Sequence, residues 1–120
     1  MKKQPANKDV PVALLTLENF EKTINREKPI FLLCVSRRDQ NQEQLDILTN
    51  ISKEYGGILE IYQLAEEFIG PLMEKLGFSG TPTFFIFSEG KEKARLLGVA
   101  DESELKDFLF RTLPFLQDDQ

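Results

Sequence analysis

The run Ile30-Phe31-Leu32-Leu33-Cys34-Val35 sets the tightest limit on the fold. Side chains of a strand alternate between two faces, and here every one of them is apolar. Neither face of such a strand can be left in water. A run like this belongs at the centre of a sheet that helices cover on both sides.

The flanking patterns agree. Val12-Ala13-Leu14-Leu15 reads as a short opening strand. Thr16 can cap a following helix that carries Leu17, Phe20 and Ile24 at helical spacing. After the central run, Leu45, Leu48, Ile51 and Tyr55 share one helical stripe, and Gly56-Gly57 stops it. Ile58 to Tyr62 reads as a strand. Leu64 to Leu76 reads as helical through Phe68, Leu72, Met73 and Leu76, with a fresh start at Gly70-Pro71. Thr83 to Phe87 predicts a strand, Glu89-Gly90 a turn, and Ala94 to Val99 the returning strand. Asp101 to Thr112 predicts a last helix with Leu105, Phe108, Leu109 and Thr112 on one face. Early alternation of strand and helix implies parallel crossovers, and the late hairpin adds antiparallel strands. The expected fold class is α/β, a central mixed sheet of about five strands flanked by about four helices.

The chain divides into an arm over residues 1–9, a domain over 10–113 and a short tail over 114–120. The arm carries Lys2, Lys3 and Lys8 and reads as a solubilising terminus. No apolar run follows it to form a signal-peptide core, and nothing reaches the ~18 apolar residues of a membrane span. A cytoplasmic setting, with no membrane partner, is expected. The balance of 15 basic against 20 acidic residues gives a net charge of −5, which disfavours nucleic acid as a partner. There is one cysteine and no histidine. An intramolecular disulfide, a Ser-His or Cys-His catalytic pair and a Cys/His zinc site are all excluded. Glu60, Glu66 and Glu67 look like an acidic cluster, read as a solvated face rather than a metal site. No cofactor and no metal are expected.

One segment is more specific: Gly77-Phe78-Ser79-Gly80-Thr81-Pro82-Thr83-Phe84-Phe85-Ile86-Phe87, then Gly90. With the element order, and with Glu18-Asn19-Phe20 and Pro29-Ile30-Phe31, it resembles the thioredoxin family over about residues 10 to 113. The resemblance implies a thioredoxin-like fold and a cis peptide bond before Pro82, since cis bonds occur essentially only before proline. It also implies that backbone beside that proline can pair with an extended peptide. The chain departs from the family where the chemistry sits. The positions matching the family's Cys-x-x-Cys are Asp39-Gln40-Asn41-Gln42, the preceding tryptophan falls on Arg38, and the buried acid of the strand falls on Leu33. Dithiol exchange by the usual route has no sulfur to use.

The residues that remain have plain alternatives. Asp39 can cap the next helix, with Gln42 as its capping-box partner. Arg37 and Arg38 beside that helix start could attract an anion or a carboxylate, but exposed arginines are common. Cys34 reads as a small buried hydrophobe; as a monothiol or peroxide sensor it would need exposure and a lowered pKa. The leading expectation is a redox-inactive, monomeric protein that binds a protein or peptide partner near Arg37, Arg38, Asp39, Gln42, Thr81 and Pro82. The alternatives are a monothiol redox protein using Cys34, and a structural or assembly factor. No dithiol oxidoreductase activity is expected, and Cys34 is the only candidate catalytic residue.

Overall fold

A computed structural model of the chain describes residues 12–36 and 42–119. In order it has β1 (Ala13–Leu15), α1 (Leu17–Ile24), β2 (Ile30–Cys34), α2 (Gln42–Tyr55) and β3 (Glu60–Leu64). A 3-10 turn (Glu66–Phe68) leads into α3 (Ile69–Leu76), followed by β4 (Thr83–Ser88), β5 (Lys91–Leu97), α4 (Glu102–Thr112) and a closing 3-10 turn (Pro114–Asp119). The strands form one mixed sheet in the order β1-β3-β2-β4-β5. β1 and β2 both run parallel to β3; β4 runs antiparallel to β2 and to β5. This is the α/β class that the alternation of elements required.

The central apolar run behaves as its composition demands. β2 lies between β3 and β4, and all five of its residues are fully buried. Odd and even positions feed two cores. Phe31 and Leu33, with Phe84 and Ile86 of β4, meet Ile47, Leu48 and Ile51 of α2 and Leu105, Phe108 and Leu109 of α4. Ile30, Leu32 and Cys34, with Phe85 and Phe87, meet Phe20 and Ile24 of α1, Ile69 and Leu72 of α3, and Phe78. Aromatic pairs stitch both layers: Phe31 stacks on Phe84 at 6.0 Å, and Phe20 meets Phe87 edge-on at 5.4 Å. Full burial of each such side chain contributes about 1.5–3 kcal/mol.

Several boundaries differ from those expected, among them the end of β5 at Leu97 rather than Val99, and three have a local reason. β3 starts at Glu60 rather than Ile58, because the amides of Ile58 and Leu59 still bond back to the Tyr55 carbonyl, both at 3.0 Å. Leu64 is the last residue of that strand, paired with Leu15, not the first of a helix. β5 starts at Lys91 rather than Ala94. Glu89 and Gly90 both take positive φ, 56° and 81°, so a two-residue turn starts the ladder at once. The charged Lys91-Glu92-Lys93 hides that start from an apolar pattern. Ile86 pairs with Ala94 and Phe87 with Glu92, which leaves Lys93 as a bulge.

Packing also continues past residue 113. The segment read as a tail forms a 3-10 turn, and Leu116 is fully buried in the α2–α4 core. The arm over 1–9 lies outside the described residues. Among those described, no helix is long and apolar enough to cross a membrane.

Candidate functional site

One end of the sheet gathers most of the described sequence candidates. Cys34 closes β2, pairs with Thr83 at the start of β4, and Thr83 in turn pairs with Leu97 at the end of β5. The loop before β4 and the turn after β5 therefore share an edge. They are bonded to each other: the Gly98 N–H donates to the Pro82 carbonyl at 2.8 Å. Gly98 has φ +103°, a conformation that side chains with a Cβ rarely adopt. Within the loop, the buried Thr83 hydroxyl donates to the Gly80 carbonyl at 2.6 Å. The Thr81–Pro82 bond is cis. Thr81 is half-buried and Pro82 is buried.

Cys34 belongs to the core. It is fully buried among the side chains of the α1–α3 layer, and burial pushes its thiol up to about 12. At neutral pH that leaves roughly one thiolate in 10⁵, far too few for a nucleophile that must also be reached. The long apolar run already implied this placement.

Gln42 is the first residue of α2, exposed, and its amide donates to Asp46 Oδ1 at 3.0 Å, one turn along the same helix. Its expected partner Asp39, with Arg37 and Arg38, lies outside the described residues.

The acidic residues do not form a cluster. Glu60 opens β3 and Glu66 and Glu67 follow its far end, so the strand's length of roughly 3.3 Å per residue separates them. Each has local company. Glu60 accepts from the Tyr62 hydroxyl at 2.7 Å and from Arg26 at 2.9 Å. Burial opposes its charge, but hydrogen bonds from Tyr62 and Arg26, with the charges of Arg26 and Lys28, hold its carboxyl below the ordinary range. Ser36 lies 3.5 Å from Glu66. No group of acidic, Cys or His side chains able to hold a metal ion occurs among the described residues.

The edge also holds residues that sequence patterns did not single out. Leu97 and Val99 are 65% and 66% exposed, and they flank Gly98. A Cβ placed on Gly80 would stand 3.9 Å from Leu97 Cδ1, so the two loops are in contact range. Gln44 is buried and bonds to both backbone groups of Ala100. Its signal was available. Gln44 precedes Ile47 and Leu48 by three and four positions, which puts it on the inward stripe of α2. Leu48, Ile51 and Tyr55 of the expected stripe are buried, while Leu45 is half-buried at its margin, so the inward face is that stripe widened to take in Gln44 and Ile47. No protein-family model matches the chain.

Proposed function

We propose that this chain is a thioredoxin-like module without dithiol chemistry that binds an extended segment of a partner protein at the sheet end formed by residues 78–83 and 97–99. The observation that carries the reading is the pair of exposed apolar side chains, Leu97 and Val99, beside the Thr81–Pro82 loop. Large apolar groups left in water next to a rigid loop are what a docking site offers. Strand-like pairing uses main-chain hydrogen bonds along the loop, with neighbouring pockets or apolar patches reading the side chains. The strand order, the two-sided helix cover and the Gly77-to-Gly90 segment support a thioredoxin-like fold. A single thiol fits a reducing, cytoplasmic setting. The burial of Cys34 counts against the monothiol alternative.

Titration of isotope-labelled protein with extended peptides tests the site. Amide shifts are expected in 78–83 and 97–100, and in residues 36–42. Shifts that avoid all three segments overturn the proposal. In a disulfide-reduction assay with a protein disulfide as substrate, the chain is expected to give no rate above a blank lacking protein.

A further inference from the structure

The turn between β5 and α4 is gripped from two sides. On one side, the Gly98 N–H bonds the Pro82 carbonyl at 2.8 Å. On the other, Gln44 reaches across from the first turn of α2. Its Nε2 donates to the Ala100 carbonyl at 2.7 Å, and its Oε1 accepts from the Ala100 N–H at 3.1 Å. The carboxamide thus serves Ala100 as a neighbouring strand residue would, one donor and one acceptor, from 56 positions away in sequence. Gln44 is 1% exposed, and among the described residues it is the one buried side-chain amide. An apolar residue at this position would match the stripe of α2, but it would leave both Ala100 groups buried without partners.

We infer that Gln44 is a positioning residue of the proposed binding site. It fixes the 97–100 turn so that Leu97 and Val99 stand beside Thr81 and Pro82, and it ties that turn to the start of α2. The chain of bonds is continuous: Gln44 to Ala100, two residues back to Gly98, then to Pro82. The inference rests on the binding reading given above, and its test separates the two.

Amide hydrogen exchange on the full-length labelled protein measures the coupling without any ligand. In Gln44→Leu, exchange is expected to speed up about tenfold at Ala100 and also at Gly98, while Phe85 within the sheet changes less than about threefold. A Gly98 rate that stays at the wild-type value while Ala100 loses protection overturns the inference. Gln44→Glu gives a second route should the leucine variant fail to fold. The protonated carboxyl can still donate to the Ala100 carbonyl, whereas the carboxylate is repelled by it. Protection at both amides, taken relative to wild type at the same pH, should therefore be greater at pH 5 than at pH 7.5. Equal protection at both pH values counts against it. A blocked Gly-Leu-Val-Leu-Gly peptide then probes the site itself: Gln44→Leu should bind it about tenfold more weakly than wild type. Equal affinity overturns the positioning role. If wild type itself does not bind the peptide, the binding reading falls on its own, and the exchange rates still decide whether Gln44 holds the turn.

Discussion

Cys34 shows how much one side chain's surroundings decide. The thiol is sealed in an apolar layer, and burial raises its pKa from 9.0 to about 12. A neutral thiol in the core stabilises the fold fully below about pH 9, and that contribution is lost as pH climbs toward 12. The stability gap between wild type and Cys34→Ala should therefore shrink by about 1.4 kcal/mol between pH 8 and pH 10 in urea titrations. An unchanged gap would mean that the thiol ionises as it does in water. Native protein should also resist thiol reagents until it is unfolded. The burial of Cys34 was legible because five apolar neighbours surround it in the run from Ile30 to Val35. For Gln44 the inward position was legible from its spacing to Ile47 and Leu48, but the bonds it makes there were not. Its partners are the backbone groups of a residue far along the chain, and main-chain groups carry no sequence signal.

At the level of helices and strands, polar side chains hold two junctions together. Asp101 accepts from the Glu104 N–H at 2.8 Å, and Glu104 accepts from the Asp101 N–H at 2.9 Å, closing a reciprocal cap at the start of α4. Asp101→Ala should cost about 1 kcal/mol by urea denaturation, and Asp101→Asn much less, because asparagine also caps well. Arg95 projects from β5 over the Phe85 ring at 5.1 Å and donates to the carbonyls of Leu76 and Gly77 at 2.8 and 3.1 Å. It thereby closes the C-terminal end of α3 and pairs with Glu92. Arg95→Ala should cost about 1 kcal/mol, and Arg95→Lys should recover less than half, since an ammonium cannot fork between two carbonyls and lie flat on a ring. Full recovery by lysine would show that charge alone matters there. The helices and strands themselves were readable from periodicity. Their edges were not, where the deciding factor was a hydrogen bond or a turn: the Tyr55 carbonyl delays β3, and the positive φ of Glu89 and Gly90 brings β5 forward.

For the molecule as a whole, the two-layered helix cover followed from one uninterrupted apolar strand, whereas the role of Leu116 in the core did not. Leu116 follows Leu109 and Leu113 at the spacing of the same stripe, but Pro114 between them reads as the end of the helix and hides the continuation. The edge proposed for binding was legible in part. Thr81 and Pro82 stood out by their motif, but Leu97 and Val99 meet them only through the pairing of β4 with β5. The same pairing leaves β5 as an outer strand of the sheet, opposite a β1 of three residues. Outer strands invite a second chain to join the ladder. Here the invitation is withdrawn by Lys91 and Lys93, both exposed, and by the bulge at Lys93 that breaks the row of amides and carbonyls. Replacing both lysines by threonine should leave the melting temperature within a few degrees of wild type yet produce concentration-dependent light scattering on warming. Unchanged scattering would assign that protection to another feature. The lysines that blurred the start of β5 in the sequence would then be the residues that keep one molecule's sheet from becoming the next one's template.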